Sequence, residues 1–125
     1  MGSDVVRRWA EGALELELRV TPEELRLVWT GKSADREPGR FILPVLLDVI
    51  DRAKEAQKPL VLDFKDLEYM NSSTFTPIVK SLAESRKAAV AVVLEYALHR
   101  KWQALSFSAL RTFETLDGRV QVQGK

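Results

Sequence analysis

The chain has 125 residues, with 19 lysines and arginines against 18 aspartates and glutamates, a formal charge of +1 and no cysteine. That length suits one domain over residues 1–125 with one core, and the balanced charge argues against a basic nucleic-acid surface or an acidic tail. The missing thiols exclude disulfides and thiolate metal sites and fit a reducing cytosol. Apolar runs too short to cross a bilayer, and a polar start at Met1-Gly2-Ser3-Asp4, make a cytoplasmic protein with no membrane contact the expectation.

In chain order, Ser3 or Asp4 caps a short helical segment through Ala10, because Val5, Val6, Trp9 and Ala10 recur at helical spacing. Residues 1–12 thus read as a helical extension. Leu14 to Val20 alternates strictly between apolar and polar, the pattern of a half-buried strand, and Leu25 to Thr30 alternates again after the turn residues Thr21-Pro22-Glu23-Glu24. The two should form an antiparallel hairpin. Gly31 to Gly39 is polar and reads as a loop.

Ile42, Val45, Leu46, Val49, Ile50 and Ala53 then make a core-facing helical stripe, with Pro44 setting the regular start near Phe41 or a kink there. Lys58-Pro59 ends that helix. Leu60–Phe64 is apolar apart from Asp63, as a central strand covered on both faces would be. A second helix opens near Pro77, which lacks a backbone donor and therefore belongs in a first turn. Its stripe is Phe75, Ile78, Val79, Leu82 and Ala83, and its basic end Ser85-Arg86-Lys87.

Ala88 to Leu94 is another buried strand, and Leu98, Trp102, Leu105 and Ala109 mark a third helix with His99 and Gln103 on other faces. Thr112 to Leu116 and Val120 to Val122 close the chain as strands joined by Asp117-Gly118, a hairpin signal. The order β-β-α-β-α-β-α-β predicts an α/β fold in which helices flank a mixed sheet through right-handed crossovers.

Little in this chain reads as an enzyme. The single histidine, His99, has surface neighbours Arg100 and Lys101 and no second histidine or cysteine with which to build a base or metal site. Asp63 and Asp66 lie near the carboxyl end of a strand, where α/β folds bind ligands, but carboxylates there also serve turns. No glycine-rich phosphate cradle is present, so neither cofactor nor metal is expected. What stands out is Asn71-Ser72-Ser73-Thr74, a hydroxyl-rich turn between a buried strand and a helix start. Such residues cap helices anywhere, yet a hydroxyl at that place also suits a phosphoryl group.

From Leu60 onward, through Leu62-Asp63-Phe64-Lys65-Asp66-Leu67-Glu68-Tyr69-Met70-Asn71-Ser72-Ser73 and the elements up to Leu110, the chain resembles the STAS domain family, the bacterial anti-sigma factor antagonists of the SpoIIAA type. The resemblance implies a non-enzymatic partner-switching protein. In that family the first hydroxyl of the turn is phosphorylated by a partner kinase, and a phosphatase reverses it. Carried over, the acceptor is Ser72, with Ser73 as the alternative, and Asn71, Ser72, Ser73, Thr74 and Phe75 meet the partner. Asn71 stands where many antagonists have aspartate, and Thr74-Phe75 replaces the usual Gly-Leu. With Gly31-x-Ser33 and the acidic-proline loop after it, these departures resemble a SiaC-like branch, so the resemblance implies either an anti-sigma factor or, for that branch, a diguanylate cyclase as the regulated partner. The other reading of the same resemblance is an unphosphorylated STAS-type subunit of a transport or signalling complex.

Overall fold

The computed structural model describes residues 4–125, as seven strands and three α-helices: β1 (Asp4–Glu11), β2 (Leu14–Val20), β3 (Leu25–Ser33), α1 (Gly39–Ala56), β4 (Leu60–Asp63), β5 (Leu67–Met70), α2 (Phe75–Lys87), β6 (Val92–Tyr96), α3 (Lys101–Ser108) and β7 (Val120–Gly124). One mixed sheet holds all seven strands in the order β1-β2-β3-β4-β6-β7, with β5 also paired to β3. β1, β2 and β3 form an antiparallel meander, and β4, β6 and β7 follow in parallel. The mixed α/β class and the element order are as expected, with β1 and β5 added.

The sheet is two-faced because its strands alternate. Leu16, Leu18, Leu27, Trp29, Leu60, Leu62, Leu94 and Val122 join one core with Ile42, Leu46 and Val49 of α1, Ile78 and Leu82 of α2, and Phe107 of α3. All three helices therefore lie against that face. The opposite face, with Glu17, Arg26, Val28, Val61, Asp63 and Glu95, carries no helix, so charged side chains rather than a second layer cover Val28 and Val61. At the centre of the core Phe107 packs 4.6 Å from Phe64, which in turn packs 4.6 Å from Trp29.

Several sequence expectations need correction. The helical segment before Ala10 is strand β1, whose Arg8, Trp9 and Ala10 pair with Glu17, Leu16 and Glu15; a neighbouring hairpin overrides a short helical spacing. The proposed cap Ser3 lies outside the described residues. Gly31 to Ser33 is not loop but the far end of β3, because it pairs in parallel with β5, which the polar letters of Glu68 and Tyr69 concealed. Gly31 has φ +83° and an added Cβ would stand 1.9 Å from the Ala13 carbonyl oxygen, so the β1–β2 turn crosses at a position only glycine fits.

Ala88 and Ala89 belong to the end of α2 rather than to β6, with Ala89 at φ +57° and the Val90 N–H bonded back to Ser85. On α2 itself, Ser81 and Ser85 are buried in place of Ala83; each satisfies its hydroxyl on the carbonyl three residues earlier. The face of α3 is rotated: Leu98 and Leu105 are 58% and 76% exposed, while Gln103, Phe107 and Leu110 are buried.

The last correction concerns residues 112–116, which are not a hairpin strand. Ala109–Phe113 is a 3-10 turn, and the segment after it runs along the outer edge of β7. There the Glu114 carboxylate accepts from the Val122 N–H at 3.0 Å, the Thr115 hydroxyl accepts from the Val120 N–H at 3.0 Å, and the Thr115 N–H donates to the Val120 carbonyl.

Candidate functional site

The turn after β5 is built by three side chains that satisfy one another. Asn71 caps the 3-10 turn Ser72–Thr74: its Oδ1 accepts from the Thr74 N–H at 3.1 Å and from the Thr74 hydroxyl at 2.7 Å. With its proton so engaged, Thr74 Oγ1 is left to accept from the Ser33 hydroxyl 2.7 Å away, and both residues are buried. The Asn71 N–H bonds the Ser33 carbonyl, and Asn71 Nδ2 donates to the Asp35 carbonyl at 2.7 Å. That last bond needs an amide. An aspartate would set two acceptors against each other, which is a physical reason for asparagine here.

Ser72 and Ser73 ride on this platform. Both are exposed, and among the described residues neither Oγ has a hydrogen-bond partner. Pro77 is the third residue of α2, as its missing donor requires, and Phe75 is half-buried beside Phe107, 6.2 Å between ring centres. Of the five residues expected at the site, Ser72 and Ser73 thus present free hydroxyls, Phe75 a partly covered ring, and Asn71 and Thr74 the support. Sequence reading missed Ser33 and Asp35 as part of the same construction; the glycine two positions before Ser33 was the visible signal. Removing the cap by Asn71→Ala is expected to cost about 1 kcal/mol, a fall of roughly 3–5 °C in melting temperature for a chain of this size. Asn71→Asp should lose a similar amount, read in the same thermal melts.

Two grooves flank the loop that leads into α1. One lies between the β1–β2 turn and the start of α1, lined by Gly12, Ala13, Ser33, Asp35, Phe41 and Ile42. The other lies between the starts of α1 and α2, with Arg36, Arg40, Ser73, Thr76 and Lys80 on its walls.

The remaining sequence candidates do not join this site. His99 is exposed in the turn before α3, and Asp66 is exposed beyond β4. Asp63 is buried on the helix-free face, where Arg26 Nη1 reaches it at 2.8 Å and Glu95 at 2.7 Å while Lys65 Nζ bridges the same two carboxylates at 3.2 and 2.9 Å. Among the described residues no His, Cys, Asp or Glu cluster could hold a metal ion. No described helix is long and apolar enough to cross a membrane.

Burial opposes the charge of Glu95, but the bonds from Arg26 and Lys65 outweigh it and hold the carboxyl below the ordinary glutamate value. A depressed carboxyl contributes stability above its unfolded pKa and loses it as pH falls through the folded one. Burial likewise opposes charge on Lys65, while Glu95 and Asp63 raise its pKa, so that contribution is present below the ordinary lysine value and lost as pH rises through the raised one. Stability measured by urea unfolding should therefore decline below about pH 4 and again in the strongly alkaline range, and Glu95→Gln should flatten the acid limb. An acid limb of unchanged slope would remove Glu95 from the account.

No family model and no curated protein matches the chain. Among solved structures, apo-SiaC from Pseudomonas aeruginosa matches all of this chain and 99% of its own, at 20% identity and a TM-score of 0.61. A chain in the structure of the diguanylate cyclase SiaD in complex with its activator SiaC, also from Pseudomonas aeruginosa, matches over 96% of this chain and 100% of its own, at 19% identity and a TM-score of 0.56. The unphosphorylated anti-sigma factor antagonist SpoIIAA matches over 66% of this chain and 72% of its own, at 22% identity and a TM-score of 0.49. The chain shares the fold of the two SiaC matches, as the SiaC-like side of the sequence resemblance implied.

Proposed function

We propose that this chain is a non-enzymatic regulatory protein, a single STAS-like domain acting in the cytoplasm, that binds a protein partner through the Asn71–Phe75 turn and the adjoining face of α2. Phosphorylation of Ser72 by a partner kinase, reversed by a phosphatase, changes that binding. The observation that carries this reading is the free, exposed Ser72 hydroxyl held on a rigid Asn71–Thr74–Ser33 platform at the opening of α2. A kinase needs the accessible oxygen, and a switch needs a fixed place for the new charge. End-to-end likeness to SiaC, described as the activator of a diguanylate cyclase, favours a cyclase of that type as the regulated effector over an anti-sigma factor.

A phosphate adds about −1.5 to −2 charges and three strong acceptors. A partner surface packed against a neutral serine would have to desolvate that dianion without a counter-charge. The test is to recover the protein from its native cell, locate any phosphate by mass spectrometry, and titrate phosphorylated and unmodified forms against the co-purifying effector. Phosphate at Ser72 with altered affinity supports the reading. Equal affinities for the two forms would return the turn to a purely structural cap.

A further inference from the structure

The two serines of the turn do not face the same surroundings. Ser73 lines the groove between the starts of α1 and α2, opposite Arg36 and Arg40 and one helical face below Thr76 and Lys80; Ser72 lines neither groove beside the turn. The spacing explains this, since Thr76 and Lys80 share one side of α2 and Ser73 stands three residues before Thr76 in the 3-10 turn that leads into it, while Ser72 is turned about 120° away from Ser73. Arg40 pairs with Glu37 at 2.5 Å, but among the described residues Arg36 and Lys80 have no carboxylate partner. The groove beside Ser73 thus carries a net surplus of cations that the unmodified chain leaves uncompensated.

We propose that this groove is an internal receptor for a phosphoryl group on Ser73, held by Arg36, Arg40 and Lys80. This rests on reading the 71–75 turn as a phosphorylation site and gives its two hydroxyls different outputs. A charge on Ser72 points outward and acts on the partner. A charge on Ser73 folds back and ties the loop before α1 to α2. In the modifying step Ser73 Oγ bonds to the γ-phosphorus of a kinase-bound nucleoside triphosphate, the β–γ bridging P–O bond breaks, the nucleoside diphosphate leaves, and the hydroxyl proton passes to a base of the kinase. Arginine forks opposite the phosphate would then supply charge-assisted bonds of the kind that order a loop.

Phosphoserine placed genetically at position 73, and separately at position 72, tests this with neither kinase nor partner present. By 31P NMR at low salt the second phosphate ionisation at 73 should lie below that at 72 by about half a unit or more, a threefold or larger shift in the proton equilibrium. The 73 form should also melt a few degrees above the unmodified chain. Both differences should vanish in R36A/R40A/K80A and shrink in high salt. Equal ionisation at the two positions, a difference that survives loss of the three cations, or unfolding of the 73 form would each overturn the proposal. Such a failure leaves switching at Ser72 untouched, and a failure of switching leaves the groove result standing.

Discussion

Ser72→Asp is expected to weaken binding of the effector a hundredfold or more, while Ser72→Ala stays within about tenfold of the unmodified protein and neither unfolds it. The Ser72 hydroxyl makes no bond in the described structure, so its removal takes nothing from the turn, whose geometry is set by Asn71, Thr74 and Ser33. The new carboxylate is exposed in the free protein and stands beside the opening of α2, where an anion is tolerated or mildly favourable. In the complex it must shed its water against a surface made for a neutral group. A penalty of ~3 kcal/mol, ordinary for an unpaired buried charge, is already more than a hundredfold in affinity. Titration calorimetry with melts of all three proteins reads the two effects separately. Equal affinities for the Ala and Asp variants, repeated with the enzymatically phosphorylated protein, would end the switch model.

The largest loss of stability is expected from Gln103→Leu, a substitution that makes α3 more apolar. Gln103 is fully buried where the sheet is interrupted: β4 stops at Asp63, β5 starts at Leu67, and both pair with the single long strand β3. At that break the Phe64 N–H still donates to the Glu95 carbonyl of β6 and the Phe64 carbonyl accepts from the Leu67 N–H, and Gln103 supplies further bonds to the carbonyls there. The Gln103 Nε2 donates to the Phe64 carbonyl at 2.6 Å and the Leu67 carbonyl at 2.9 Å, and its Oε1 accepts from the Ala97 N–H at 2.7 Å. Leucine fits the volume but takes from the Leu67 carbonyl and the Ala97 N–H the partner that Gln103 supplies, at about 1–3 kcal/mol each, and leaves the Phe64 carbonyl with only its bond from the Leu67 N–H. A total near 3 kcal/mol or more should lower the melting temperature by roughly 10 °C. Leu105→Gln, on the exposed side of the same helix, should change stability by under about 0.5 kcal/mol. Denaturant unfolding of the pair decides the matter, and a Gln103→Leu variant as stable as the parent would mean that water reaches the break.

These two positions also explain what could be read from the letters. Strands β2 and β3 and helix α1 were legible because a single period decided each of them, alternation for Leu14–Val20 and Leu25–Thr30 and the i, i+3, i+4, i+7 stripe from Ile42 to Ala53, and β4 because of its nearly unbroken apolar run. Helix α3 was not, because its buried residues are Gln103 and Phe107, and no hydropathy period assigns a glutamine to the core when its partners are carbonyls two elements away. β1 and β5 failed for a related reason. Each is held by pairing with a neighbour, β2 or the end of β3, and carries little apolar alternation of its own. At the site, Ser72 and Ser73 and their position before α2 followed from Pro77, whereas Ser33 and Asp35 are brought to Asn71 by a pairing 36 to 38 residues distant that no local spacing encodes.

The segment that lies along β7 gives the sheet a direction of growth. With Glu114 and Thr115 occupying the outward N–H groups of Val122 and Val120, a further strand arriving at that side finds its hydrogen-bonding positions already filled by this chain's own side chains. β1, at the other border of the sheet, pairs only with β2 and displays Val5 and Val6 at its surface. Of the two ends of the strand order, the β1 border is therefore the one open to a foreign strand, including the first contact of an aggregate. Glu114→Val would bare the Val122 N–H and begin to open the β7 end as well, with Thr115 still holding Val120.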